Sequence, residues 1–296
     1  MGGRRFRVLV IVLVTMLTSV SSACADDSPL PGGFVYQLQG YPGGRLDELA
    51  AAPFRTAVVD LARDAGSSYF RADEIGRLKA SGKRVLAYFE IGSIEEFRPD
   101  YAAIRAERLL LNEWPSWPGE HFVRYWEPGW WELAVRPRLD RALAAGFDGV
   151  YLDTPLAYEE IDLALLPGTD RVALAGRMTD LIVRISAHVK RLNPAFGVYP
   201  QNSPELREYP GYLDAIDGIG MEELFFRATD EPCTADFCAA NLAQTRKLKE
   251  AGKTVLAVDY ATRAENVAEA CRRYREEGFE GYVTVRALDT VAAPCR

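Results

Sequence analysis

Two acids, each closing a short apolar run, offer the clearest chemistry in this chain. Gly149-Val150-Tyr151-Leu152 leads into Asp153 and then Thr154-Pro155; Gly218-Ile219-Gly220-Met221 leads into Glu222 and Glu223. Apolar runs of this length read as buried strands, and Pro155 has no N–H to give a sheet ladder. Each acid is therefore delivered to a rim on a rigid element. The other runs end in polar residues too: Gln37 and Gln39, Asp60, Glu90, Gln201 with Asn202, and Asp259. A single strand-end acid is more often a loop or helix cap. A series that populates the same end of nearly every run points instead to a site. Paired carboxylates are the equipment of glycoside hydrolysis, where one acid protonates the leaving oxygen and the other attacks or activates water. On a strand Glu223 points to the opposite side from Glu222, so only one of the two can face the site.

Other chemistries lack their parts. The histidines are His121 and His188, neither with metal-ligand spacing nor at a strand end, and no G-x-S-x-G, G-x-G-x-x-G or P-loop occurs. No metal and no cofactor are expected.

Positioning these residues falls to two alternating patterns. Strand-length runs are Phe34–Leu38, Ala57–Leu61, Arg84–Phe89, Gly149–Leu152, Phe196–Tyr199, Gly218–Met221, Thr254–Val258 and Gly281–Val285. Between most of them lie amphipathic stretches, among them Ile75–Ala80, Trp130–Ala145, Leu174–Leu192, Ala239–Ala251 and Ala264–Glu277. The alternation predicts an α/β fold with a parallel sheet, and the strand count favours a closed (β/α)₈ TIM barrel, a single domain over 34–296. Leu78–Ala87 echoes Leu248–Ala257, and Ala145–Gly149 echoes Glu277–Gly281, as expected where one helix–Gly–strand corner recurs. The tryptophan-rich stretch Asn112–Trp131 reads as a long loop, able either to stack on sugar faces or to pack as core and lid.

The first 25 residues stand apart: Arg4, Arg5 and Arg7 precede an apolar run, then small residues lead to Ala23-Cys24-Ala25. This is the layout of a secretory signal, with lipidation of Cys24 as the rival processing and 26–33 as a linker. Loss of three arginines takes the formal charge from −7 to −10. Such acidity speaks against nucleic acid and suits a neutral or cationic polysaccharide partner. No other stretch is long and apolar enough to span a bilayer, and a monomer outside the cytoplasm is expected. Cys233, Cys238, Cys271 and Cys295 allow three pairings, of which Cys233–Cys238 and Cys271–Cys295 are favoured.

Four stretches in order carry a family likeness: Val85-Leu86-Ala87-Tyr88-Phe89-Glu90-Ile91-Gly92-Ser93 continuing to Glu95 and Phe97-Arg98-Pro99-Asp100; Gly146 to Asp153; Tyr199-Pro200-Gln201-Asn202; and Met221-Glu222-Glu223-Leu224-Phe225-Phe226. Together they resemble glycoside hydrolase family 114, the endo-α-1,4-polygalactosaminidases and their bacterial relatives. The resemblance implies a TIM barrel that cleaves α-1,4-linked galactosamine polymers with retention, Asp153 matching the nucleophile and Glu222 the acid/base. Asp60, Tyr88, Glu90, Tyr151, Gln201, Asn202 and Asp259 are the expected substrate contacts. Thr154-Pro155-Leu156 departs from the Asn and second Asp that many members carry there, which bears on the subsites. The rival reading is a carbohydrate-binding protein on an inactive barrel.

Overall fold

The computed structural model describes Met1 and residues 33–63 and 65–295. The proposed leader with Cys24, and the linker up to Gly32, lie outside the described residues.

Eight parallel strands form the barrel: β1 (Phe34–Gln37), β2 (Thr56–Asp60), β3 (Arg84–Glu90), β7 (Gly149–Asp153), β8 (Gly197–Pro200), β9 (Gly218–Glu222), β10 (Thr254–Tyr260) and β11 (Glu280–Thr284). Three short strands, β4 (Ser93–Glu95), β5 (Leu110–Glu113) and β6 (Glu120–Val123), are inserted after β3. Ladder bonds run β1-β2-β3-β7-β8 and β9-β10-β11. A bridge between Gln201 and Gly220 joins the two arcs. At the other seam the rings of Phe34 and Tyr282 meet at 5.9 Å. All eight runs anticipated from sequence are strands within a residue or two.

Helices Ala72–Ala80, Arg136–Ala145, Arg171–Leu192, Asp236–Glu250 and Ala264–Glu277 cover the outside. The recurring corner has a backbone cause. Gly146 sits at φ 81°, its N–H closing the preceding helix on Ala142 and Leu143, and such left-handed caps favour glycine. Asp148 then accepts the Val85 amide at 2.9 Å and pairs with Lys79 at 2.8 Å, locking β7 beside β3.

Inward positions alternate with outward ones along each strand. On β9 the inward positions include Gly218 and Gly220. A Cβ on Gly220 would lie 2.0 Å from the Tyr151 hydroxyl oxygen. The glycine is therefore the space into which that ring is packed. No helix among the described residues is long and apolar enough to cross a membrane.

The expected loop Asn112–Trp131 is more regular than its sequence suggests. It supplies part of β5 and all of β6, which with β4 make an antiparallel sheet. Trp130 and Trp131 are buried in the core, and Trp130 Nε1 donates to Ile91 O at 2.9 Å. The two cystines are Cys233–Cys238 and Cys271–Cys295.

Candidate active site

Asp153 closes β7 on the inward side, in register with Glu90 of β3. It is half-buried. Tyr88 donates its hydroxyl to Oδ2 at 2.5 Å, and the Thr154 amide donates to Oδ1 at 2.6 Å. Burial pushes the carboxyl up to about 6, and those two hydrogen bonds oppose the rise.

Glu222 closes β9 in the same way. Gln201 donates Nε2 to its Oε2 at 2.5 Å, Asn202 donates Nδ2 to the same oxygen at 3.4 Å, and the Tyr260 hydroxyl donates to Oε1. Tyr36 in turn donates to Gln201 Oε1 at 3.1 Å, fixing the amide with its nitrogen toward Glu222. Burial pushes Glu222 up to about 7, and the charge of Asp153 adds to the rise. Burial raises both carboxyls, and the charge on Asp153 favours a proton on Glu222, the division of labour that general-acid and nucleophilic chemistry needs.

Each of these strand ends turns through a left-handed non-glycine residue: Thr154 at φ 60°, Asn202 at 61° and Glu223 at 56°. Such conformations are uncommon, above all for a β-branched residue, and persist only where neighbours fix them. Glu223 turns its carboxylate away from Glu222, accepting the Ala228 amide at 3.0 Å.

The remaining expected contacts divide. Tyr88, Gln201 and Asn202 touch the acid pair. Asp60 and Glu90 are buried in the wall. Arg98 donates to both Asp60 oxygens at 3.3 and 3.1 Å and pairs with Glu90, while Arg138 donates to Glu90 O at 3.0 Å and to Asp100 at 3.0 Å. Burial would raise Glu90, but the two guanidinium groups outweigh it and hold the carboxyl low. Asp60 is pushed up to about 6 by burial, Arg98 opposing. These acids brace Arg98 and Arg138 rather than face open cleft. Tyr151 forms the floor: its hydroxyl is buried, with no hydrogen-bond partner among the described residues.

Asp259 corrects a parity error. Val258 lies beside Glu222 in the β9–β10 register, so Tyr260, two residues on, faces inward and Asp259 faces the helices. Its Oδ1 accepts the Phe225 and Phe226 amides at 2.8 Å each, and the Tyr274 hydroxyl donates to Oδ2. It clamps the loop after Glu222. Counting in twos from the β10 start would have found Tyr260; Tyr36 and Arg98 left no such signal, since their roles depend on which strands become neighbours.

The turn of the inserted hairpin meets the segment after β11, where Arg286 lies 4.8 Å from the Trp117 ring centre. Among the described residues no group of three or more His, Cys, Asp or Glu is placed to hold a metal ion.

The model of Glycoside-hydrolase family GH114 matches residues 18–296. An uncharacterized protein of Deinococcus radiodurans is 36% identical over 256 residues, spanning 86% of this chain and 80% of that one. Another from Methanocaldococcus jannaschii is 30% identical over 251 residues, spanning 82% and 70%. Among solved structures, Aspergillus fumigatus Ega3 in complex with galactosamine aligns with a TM-score of 0.66 at 17% identity, covering 88% of this chain and 93% of that one. The glycoside hydrolase domain of PelA from Pseudomonas aeruginosa gives 0.66 at 20% identity, covering 90% and 98%. At such identities the structural likeness speaks to the barrel fold.

Proposed function

The chain belongs to glycoside hydrolase family GH114, and from that premise we propose that it is an exported, retaining endo-glycosidase acting on α-1,4-linked galactosamine-containing polysaccharide. The observation that carries this reading is the pair of strand-end carboxyls at the inward ends of β7 and β9, Asp153 held by Tyr88 and the Thr154 amide and Glu222 held by Gln201 and Tyr260, with the charge of Asp153 favouring a proton on Glu222. Asp153 attacks the anomeric carbon as the glycosidic C–O bond breaks, and the Glu222 proton passes to the leaving oxygen. In the second step Glu222, now a carboxylate, takes a proton from water. The water oxygen bonds to the anomeric carbon and the ester to Asp153 breaks. Such a double displacement goes with carboxyls about 5–5.5 Å apart.

The substrate class rests on charge and on the family. Arg98, the guanidinium whose charge is felt at Asp153, and Arg138 beside it are both committed to buried ion pairs, so the acids set the sign of the site. That favours a polymer bearing free amines. Ega3, solved with galactosamine, supports the same sugar. Two cystines and the leader-like N-terminus support export.

The test is to incubate the mature protein with acetylated and deacetylated galactosamine and glucosamine polymers. Products are identified by mass, and the first anomer released is read by NMR. Internal cleavage of the galactosamine polymers with α-configured first product is expected; a β-configured first product means inversion and overturns Asp153 as nucleophile. Asp153→Asn and Glu222→Gln should each lower kcat/KM by at least about 10³-fold with the fold intact. A fully active Asp153→Asn protein would also overturn the assignment.

A further inference from the structure

A buried chain of side chains runs from the inserted sheet to the turn behind Asp153. Ser93 Oγ lies 2.5 Å from Glu120 Oε1 and 3.0 Å from Thr154 Oγ1. Thr154 Oγ1 lies 2.8 Å from Asp153 O and accepts the Gly92 amide at 3.0 Å. Ser93 and Thr154 are both fully buried, so water is not on hand to supply a missing donor.

Counting protons decides the direction of this chain. Three oxygen–oxygen contacts, Glu120–Ser93, Ser93–Thr154 and Thr154–Asp153 O, need three hydrogens, and the two hydroxyls bring two; the Ile91 amide also reaches Asp153 O, at 2.9 Å, but puts no hydrogen between that oxygen and Thr154 Oγ1. Were Glu120 ionised, one contact would set acceptor against acceptor inside the protein, a costly arrangement. A proton on Glu120 fills all three. The acid then donates to Ser93 Oγ, Ser93 donates to Thr154 Oγ1, and Thr154 donates to Asp153 O.

We propose that Glu120 is a neutral carboxylic acid that acts through Ser93 and Thr154 as a positioning residue for Asp153. Thr154 is the link that makes this matter. Its φ of 60° is strained for a β-branched residue, and that turn aims the Thr154 amide at Asp153 Oδ1, 2.6 Å away. With the chain filled, the turn is fixed and the nucleophile's second oxygen stays free of rotation. Burial, with the charges of Asp153 and Glu90 behind it, pushes Glu120 up to about 8, the Ser93 hydroxyl and Arg98 opposing. Glu95 stands opposite Glu120 across β4 and β6 and is itself pushed up to about 9 by burial and Glu90. On its other side Asp153 faces Tyr88, Glu90 and Arg98, and its charge reaches Glu222.

The proposal deepens the glycosidase reading and rests on it, so the test has an arm that needs no turnover. Infrared difference spectra of wild type against Glu120→Gln near pH 7 should show a carboxylic C=O band that belongs to Glu120; a carboxylate band there overturns the proposal whether or not any polymer is cleaved. In kinetics, Glu120→Gln keeps an N–H to donate to Ser93 and should hold kcat within about 3-fold. Glu120→Ala and Ser93→Ala should each lose about 10-fold in kcat with little change in KM. Above about pH 8, kcat/KM of wild type should fall by up to about 10-fold more than the loss of the Glu222 proton alone accounts for, as Glu120 ionises on top of Glu222; Glu120→Gln should show only the Glu222 limb. Unchanged kcat in Ser93→Ala, or Glu120→Gln as impaired as Ser93→Ala, would sink the idea. If no polymer is cleaved but the acid band is present, it is the glycosidase reading that has failed.

Discussion

At the scale of single residues, two tyrosine hydroxyls tune the acid pair in opposite places. Tyr88 donates to Asp153 and Tyr260 to Glu222, and each bond holds its carboxyl below where burial alone would put it. Turnover needs Asp153 ionised and Glu222 protonated. Activity should therefore rise through about 6, fall through about 7, and give a narrow bell in kcat/KM. Tyr260→Phe removes a donor from the ionised form of Glu222, so its alkaline limb should move to higher pH. Tyr88→Phe should move the acid limb of Asp153 up as well and narrow the bell. Stopped assays from pH 4 to 9 would show both; a Tyr260→Phe limb that moves down would refute the role given to that hydroxyl. Both acids were legible in the sequence because each follows an apolar run. That their hydroxyl donors meet them was not: Tyr88 reads as a substrate contact and Tyr260 is passed over for Asp259, because a tyrosine inside a strand looks the same whether its ring fills core or its O–H meets a carboxylate.

At the scale of elements, β9 is shaped by what lies across from it. Its alternating glycines would ordinarily weaken a strand; here Gly220 makes room for the Tyr151 ring, whose oxygen a Cβ would approach to 2.0 Å. Gly220→Ala should cost about 1–3 kcal/mol of stability in denaturant unfolding. Adding Tyr151→Val should recover part of that loss, a coupling expected only for residues in contact. A Gly220→Ala protein as stable as its parent would show that the ring has somewhere else to go. The corner at Gly146 was readable in advance, since a helix stop and a strand start sit side by side. The hairpin of β5 and β6 was not: its strands are short, rich in tryptophan and proline at the turn, and owe their form to pairing with β4.

At the scale of the whole molecule, two cystines staple the last third of the barrel. Cys233–Cys238 closes a separation of 5 residues and Cys271–Cys295 one of 24. On chain entropy alone they contribute about 2 and about 3.5 kcal/mol respectively. Paired Cys→Ala replacements should therefore lower the unfolding midpoint more at 271 and 295 than at 233 and 238. Equal shifts would mean that local strain, not loop closure, governs their worth. The larger staple ties the C-terminal segment to the helix Ala264–Glu277, beside the β1–β11 seam where the arcs of the sheet meet.

The sequence by itself determined the alternation of eight strands with helices, the glycine corners, the even cysteine count and the two strand-end acids. All of these rest on local periodicity, backbone conformation or simple counting, which a chain carries without knowing its neighbours. Only the tertiary structure decided which polar strand ends look inward. The β9–β10 register chose Tyr260 over Asp259, because a shift of one residue moves a side chain to the other face. It also decided that Arg98 reaches Asp60 across 38 residues and that Ser93 meets Thr154 across 61. Those contacts exist because the parallel strands lie side by side around the barrel, and nothing in the local pattern records that adjacency.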